Sequence, residues 1–316
     1  MPKILCLSAS DLRTLLSFED VTKAVERAFV ANSSNLGKTY PIIREKLNND
    51  SVFGVKAGLL GSTLGLKAAG YWPQNKVHNS EAHQATILLF NPETGKPRAF
   101  IDGNYVTTIR TGAAGAIGAA NFSPIESSVL AVIGTGVQGK VQTSAVLSVR
   151  PSISEVRCCG RSEQSIRGFV EEFRQQVKVT VCDTVTEAVQ NADIIVTATP
   201  ATQPFILASH LKPGVHINAM GSDTKGKSEL DDSVLKMADV FVDDLHQSQT
   251  IGELQKNPDC VAITIGDVLA GNVSSKKFIE SITVFDSTGL ALQDLATAEL
   301  AYLSAIERGM GTWLHW

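Results

Sequence analysis

Between Ser127 and Val149 the chain reads SSVLAVIGTGVQGKVQTSAVLSV, and this stretch restricts the possible folds more tightly than any other. The apolar run Val129 to Ile133 suits a buried strand, Gly134, Gly136 and Gly139 suit a tight turn, and the residues that follow suit a helix. Each glycine has its own task in such a turn. Gly134 permits the sharp bend, Gly136 lets the backbone approach a pyrophosphate, and Gly139 lets the helix pack close to the strand. The amides of Val137 and Gln138 would then face the phosphates from a helix N-terminus, where the dipole favours an anion. A glycine-rich turn can also merely close a connection, so the context carries the weight.

From about residue 125 strand-like and helix-like runs alternate: VLAVIG, EVRCCG, SEQSIRGFVEEFRQQ, VTVCD, TVTEAVQNA, DIIVTAT, VHINAMG, VFVDD, AITI and TVFDS. That alternation specifies an α/β fold with a doubly wound parallel sheet, a Rossmann domain expected over residues 123–290. Residues 1–122 read differently. A helix over SFEDVTKAVERAFVANS starts at a Ser-x-x-Asp cap, and the short apolar runs SVFGVKAG, LGLKAAGYW, ATILLF and RAFIDG follow in quick succession, with NPETGKP as a turn. They predict a smaller α+β domain with a mostly antiparallel sheet, completed by an amphipathic helix within 291–316. At 316 residues, 43% of them hydrophobic, the chain is long enough for two cores. Strands in the smaller domain outnumber the helices that could cover them. Its sheet is therefore expected to pack against a second copy, giving a homodimer.

Twenty-eight basic and 32 acidic residues leave a formal net charge of -4, which offers no basic face for nucleic acid or anionic lipid. The opening residues MPKILCLSASDLRTLL lack the apolar core of a secretory signal, and no apolar run reaches the roughly eighteen residues that span a bilayer. A cytoplasmic location without membrane contact is the expectation. Cys6, Cys158, Cys159, Cys182 and Cys260 are scattered without zinc-type spacing, so they read as reduced thiols, mostly in strands, and no metal site is expected.

About twenty residues past the glycine turn an acid commonly holds the adenosine ribose of a dinucleotide, yet here the second strand ends EVRCCGRSE. Arg161 stands there instead. Its guanidinium can pair with a 2′-phosphate or stack on adenine, so the expected cofactor is NADPH or NADH, with Arg161 favouring the phosphorylated form. The plain alternative is a solvated arginine at a helix start.

Five stretches in chain order, LGLKAAGYWPQN, LLFNPETGKPRAFIDGNYVTTIRTGAAGAIGA, VIGTGVQGK, HINAMGSDTKGKSEL and DDLHQSQTIGELQ, carry a resemblance over nearly the whole chain. In them it resembles the ornithine cyclodeaminase and mu-crystallin family, and the TxxRTGAA and GSDxxGKxEL patterns are far more specific than the glycine turn. Ornithine and lysine cyclodeaminases, ketimine and pyrroline-carboxylate reductases, alanine dehydrogenases and iminosuccinate reductases belong to that family. They share hydride transfer between a nicotinamide ring and the α-carbon of an amino acid or its imine, so the resemblance implies a small amino or imino acid as substrate. Arg44, Lys67 and Arg110 are similar to the family's anion clamp for the substrate carboxylate. Lys67 also matches a hydrogen-bonding partner of the reacting nitrogen, and Asp223 matches the acid/base carboxylate. Arg110, Thr199, Ala219, Met220, Gly221, Ser222 and Lys227 resemble residues that border the cofactor, and Ser287 and Thr288 match a turn beside nicotinamide and substrate. A surface charge, a helix cap or a plain turn is the simpler reading of each.

One departure bears on the substrate. Ornithine cyclodeaminases resemble one another in a Glu ahead of a Met-Pro pair that receives the distal amine, whereas here the strand reads Val52-Phe53-Gly54-Val55-Lys56-Ala57-Gly58. Lys56 would repel a second ammonium and attract a second carboxylate. The expected activity is NAD(P)H-dependent interconversion of a 2-imino acid and an L-amino acid, with iminosuccinate to aspartate as the finer expectation. Ornithine or lysine cyclodeamination is one alternative, and a mu-crystallin-like NADPH-dependent ligand-binding protein is another, from a different class. Lys56 and Lys67 lie on separate strands, so the sequence leaves open whether they face the same way. His78 and His83 fall where the family chain passes the nicotinamide, and a half-exposed loop histidine is the ordinary outcome for each.

Overall fold

A computed structural model describes residues 3–48, 50–78 and 80–315. In chain order the elements are β1 (Lys3–Leu7), α1 (Ala9–Leu15), α2 (Phe18–Ser33), β2 (Gly37–Thr39), β3 (Ile43–Lys46), β4 (Val52–Leu60), β5 (Thr63–Tyr71), β6 (His83–Phe90), β7 (Pro97–Asp102) and α3 (Gly103–Phe122). Then come β8 (Val129–Ile133), α4 (Val137–Val149), β9 (Glu155–Cys159), α5 (Glu163–Phe173), β10 (Lys178–Val181), α6 (Val185–Val189), β11 (Ile194–Thr197) and β12 (His216–Ala219). The remainder is α7 (Asp232–Met237), β13 (Asp239–Val242), α8 (Leu245–Ile251), β14 (Ala262–Thr264), α9 (Ile265–Leu269), β15 (Thr283–Asp286), α10 (Ala291–Arg308) and β16 (Thr312–His315). Contacts divide the chain into one unit of Met1–Arg110 with Leu290–Trp316 and a second of Thr111–Gly289. The first division falls inside α3, whereas the sequence pattern changes only after it.

The first unit holds a sheet in the order β16-β1-β7-β6-β5-β4-β2, with β3 also on β4. Only the β1–β7 pair in this sheet is parallel. Helix α2 opens at Ser17, whose Oγ accepts from the Asp20 amide at 3.1 Å, as the cap pattern predicts. Helix α10 packs on α2 and across β4, β5 and β6. Two glycines make that approach possible. Gly58 and Gly65 face each other across β4 and β5, and an added Cβ would come within 3.2 Å of Leu292 at the first and 2.7 Å of Leu295 at the second. The chain end departs from a purely helical expectation: α10 stops at Gly309 in the left-handed conformation, and Thr312–His315 returns as a strand against β1.

The second unit is an eight-stranded sheet in the order β10-β9-β8-β11-β12-β15-β13-β14, and every pair in it is parallel. This is the doubly wound arrangement that the alternation specifies. Its central strands are apolar on both faces, as burial on both sides requires. Ile195 packs with Ala131, Ile217 and Val284, while Ile194 and Val196 pack with Leu130, Val132 and Phe169. All five cysteines are free; Cys6, Cys158 and Cys159 lie in strands, Cys182 and Cys260 outside them. Among the described residues no helix is long and apolar enough to cross a membrane, and no group of three or more His, Cys, Asp or Glu could hold a metal ion.

Candidate active site

In the first unit Lys67 lies in β5 on the face that α10 covers. Its Nζ stands 2.7 Å from Asp294 Oδ2 and donates to Thr107 Oγ1 at 3.2 Å, while Arg110 Nε donates to Asp294 Oδ1 at 2.9 Å. Lys67, Arg110 and Asp294 are 5%, 7% and 1% exposed, a depth at which ions persist only when paired. Burial pulls the Lys67 ammonium down from its ordinary value to about 7; Asp294 resists this, and Arg110 and Lys56 reinforce it. Burial pushes the Asp294 carboxyl up, but Lys67 and Arg110 overcome it and leave the group below its usual value.

Strand register answers the question that the sequence leaves open about Lys56. It sits directly opposite Lys67, and opposed residues of an antiparallel pair share a face. Arg44 is opposite Gly54, two residues from Lys56, so it shares that face as well. His83, opposite Tyr71 and four residues from Ile87 on the same strand, joins them. Among the described residues, Lys56, Lys67 and Arg110 thus gather around the Asp294 carboxylate, a cationic grouping that suits an anion. The His78 side chain lies outside the described residues.

In the second unit the glycine turn has the geometry that its sequence implies. Gly134 adopts φ +105°, and a Cβ there would meet the Ala198 carbonyl oxygen at 2.5 Å. At Gly139 a Cβ would lie 1.8 Å from the Gly134 oxygen, so only glycine lets α4 pack so closely. Gly136 is different: a Cβ there meets nothing within 4 Å, and it caps α4 without any side-chain hydrogen bond to the first amides. Val137 is exposed, and Gln138 Oε1 is buried without a hydrogen-bond partner among the described residues. An uncapped helix start with open space before it suits a dinucleotide's pyrophosphate. Arg161 is exposed just past β9, ahead of the α5 cap Ser162, where no acid stands.

The other second-unit candidates are organised by buried carboxylates. Glu229, fully buried, accepts from Thr197 Oγ1, the Thr199 amide and Thr199 Oγ1 at 2.7 Å each, and from the Gly221 amide at 2.9 Å. It ties together the segments after β11 and β12. Ala219 and Met220 are buried at the end of β12, and Ser222 Oγ donates to the Lys227 carbonyl at 3.0 Å. Lys227 Nζ pairs with Asp223 Oδ1 at 2.6 Å, and Thr224 Oγ1 donates to the same oxygen at 3.1 Å. Asp223 caps no helix, since α7 begins later on its own cap, Asp231. Past β15, Asp243 accepts from Ser287 Oγ at 3.3 Å, Thr288 Oγ1 at 2.8 Å and the Gly289 amide at 2.6 Å. Behind these lie two further acids. Glu253 accepts from the Glu229 and Leu230 amides, and Asp286 accepts from the Glu253 amide and the Ser248 hydroxyl. Burial, with Glu229 beside it, pushes Glu253 up to about 8, and burial with Glu253 beside it raises Asp286 well above the carboxylate range.

Sequence reasoning singled out Lys67, Arg110, Thr199, Ser287 and Thr288 and missed Asp294, Glu229 and Asp243, the carboxylates that hold them. For Asp294 a signal existed: it is an acid on the apolar stripe of α10, three residues after Ala291 and just before Leu295. Asp243 directly follows a buried strand. Glu229 lies in an irregular segment, where periodicity carries no information.

The family model described as "Ornithine cyclodeaminase/mu-crystallin family" matches residues 3–309. The alanine dehydrogenase of Archaeoglobus fulgidus is 34% identical over 315 residues, covering 98% of this chain and 97% of that protein. The iminosuccinate reductase of Paracoccus denitrificans is 33% identical over 318 residues, covering 97% and 98%. Among solved structures, an archaeal alanine dehydrogenase dimer with bound NAD aligns with a TM-score of 0.93 and 33% identity over 100% of both chains.

Proposed function

Because the chain belongs to the ornithine cyclodeaminase/mu-crystallin family, we propose that it is a nicotinamide-dependent oxidoreductase interconverting a 2-imino acid and an L-amino acid, and that its substrate carries a second carboxylate. NADH or NADPH is the cofactor, and when bound it supplies or accepts the hydride. Gly134, Gly136, Val137 and Gln138 would hold its pyrophosphate. Thr199, Ala219 to Ser222, Lys227 and Ser287 would border it, with Arg110 as a further contact. Arg161, just past a strand whose C-terminal end carries no acid, would leave a 2′-phosphate unrepelled. Arg44 and Arg110 would clamp the α-carboxylate, Thr288 would contact the substrate, and Lys67 and Asp223 would move the proton of the reacting nitrogen. A Lys67 poised near neutrality can both give and take that proton.

One observation carries the choice of substrate: Lys56 stands opposite Lys67 on a shared face. With Arg44 and Arg110 on the α-carboxylate, a distal carboxylate would find the Lys56 ammonium on the same face. A diamino acid would bring an ammonium to the same face, which disfavours cyclodeamination. A pure ligand binder would have no use for Lys67 and Asp223 as proton carriers. Iminosuccinate, reduced to aspartate, fits this charge pattern.

The test compares oxaloacetate plus ammonia with pyruvate plus ammonia as kcat/KM, on the wild type and Lys56→Ala under one set of conditions. A buried charge-assisted contact is worth about 1.5–3 kcal/mol, so the dicarboxylate should win by roughly ten- to a hundredfold. Lys56→Ala should erase that advantage and spare pyruvate, and ornithine should yield neither proline nor ammonia. Equal losses on both substrates, or a wild-type preference for pyruvate, would remove the dicarboxylate and leave an alanine-type imine reductase.

The same proposal includes a homodimer. In the first-unit sheet the face away from α10 carries Phe53, Val55, Leu66, Leu88 and Phe100, of which Phe53 is 39% and Phe100 49% exposed in the single chain. A second copy of this apolar face is the natural cover for it.

A further inference from the structure

Both oxygens of Asp294 are committed to other side chains, one to Lys67 and one to Arg110. The three groups come from three elements, α10, β5 and α3, and Gly58 and Gly65 let α10 sit low enough for the carboxylate to reach. Among the described residues, Arg44 and His83 lie farther along the same sheet face, and the groups that act on Lys67 come from three elements. Asp294 comes from α10, Arg110 from α3 and Lys56 from β4, while β6 presents the apolar Ile87 and α3 adds the neutral Thr107. Two cations press on the Lys67 amine, and one carboxylate offsets them.

We propose that Asp294 is a positioning residue for the imine chemistry: its carboxylate holds Lys67 and Arg110 side by side and gives the buried Lys67 ammonium its counter-charge. Its purpose rests on the function proposed above, whereas its physics does not. An imine carbon accepts hydride well only when its nitrogen is protonated, and a Lys67 that had already lost its proton could not assist. Lys67 titrates near 7 with Asp294 in place, so the balance lies where a small loss of negative charge matters most.

Two measurements test this, one of them independent of turnover. Trace acetylation of Lys67 across the neutral and alkaline range, read by peptide mass spectrometry, gives the amine's midpoint in the wild type and in Asp294→Asn. The pH profile of kcat/KM for imine reduction is recorded beside it, with NADH affinity by fluorescence. The midpoint should fall by about one pH unit or more in Asp294→Asn, tenfold in proton affinity. The alkaline limb of kcat/KM should move with it, and NADH affinity should stay within about twofold. Asp294→Glu, which keeps the charge but not the fit, should fall between the two, and it is the variant to read should Asp294→Asn not fold. An unchanged midpoint in a folded variant, or lost activity with an unshifted profile, overturns the proposal. A shifted midpoint with no imino acid turned over by the wild type supports the Asp294–Lys67 coupling and sinks the reductase reading instead.

Discussion

Lys67 and Asp223, the two proposed proton carriers, stand in contrasting surroundings. Lys67 is walled in, with its proton affinity set by burial and by charges on three other elements. The Asp223 side chain is 37% exposed and leans on Lys227, four residues along the same turn. If Asp223 supplies the proton, Asp223→Asn should leave NADH binding within a few-fold and lower kcat by about two to four orders of magnitude, the usual range for general acid–base catalysis. Near-normal turnover would instead make the Asp223–Lys227 pair a brace for the turn after β12, with Lys67 acting alone. Titration of bound and free protein with NADH separates that outcome from simple loss of the cofactor.

At the scale of elements, α3 shows how a helix end is secured when its sequence supplies no glycine stop. The helix runs into Asn121-Phe122-Ser123-Pro124, with Ala119, Phe122 and Ser123 buried and Ala120 exposed. Arg150, from the end of α4, donates to the carbonyls of Ala119, Ala120 and Ser123 at 2.8–2.9 Å, and also to Ser123 Oγ and to the Pro124 and Val149 carbonyls. One buried guanidinium thus replaces a C-cap. Arg150→Met would take this donor from the Ala120 and Ser123 carbonyls, while Ala119 and Pro124 keep donors from Ser123 and Ser127, and should cost about 3 kcal/mol or more, a fall in Tm of roughly 6 °C or more by calorimetry. Arg150→Lys should recover only part, because an ammonium on one stem cannot span so many acceptors. A loss under about 1 kcal/mol would mean that water caps the helix equally well.

For the whole molecule, the apolar outer face of the first-unit sheet predicts assembly. Leu66, Leu88 and Phe100 are register neighbours across β5, β6 and β7, so a single arginine at Leu88 would put an unpaired charge amid them. Light scattering at micromolar concentration should give twice the chain mass for the wild type and one chain mass for Leu88→Arg, with the native circular dichroism spectrum retained. A monomeric wild type would refute the dimer outright. The solved alanine dehydrogenase that this chain resembles is itself a dimer with bound NAD, which motivates the measurement.

The sequence by itself determined what depends on near neighbours. Strand and helix periods separate a parallel, doubly wound sheet from an antiparallel one, and the glycines at 134, 136 and 139 act on backbone within their own turn. The family motifs are likewise contiguous. Only the tertiary structure decided that Lys56 faces Lys67, because a shift of one residue in the β4–β5 register would have sent it to the opposite face. Asp294 meets Arg110 across a sequence separation of 184 residues, and Glu229 meets Thr197 across 32, so neither contact leaves a local trace. Lys67 and Arg110 were legible because they stand in stretches that resemble the family's, and Lys56 because it departs from them, but the charge state of Lys67 comes from burial and from neighbours that only the packed chain assembles.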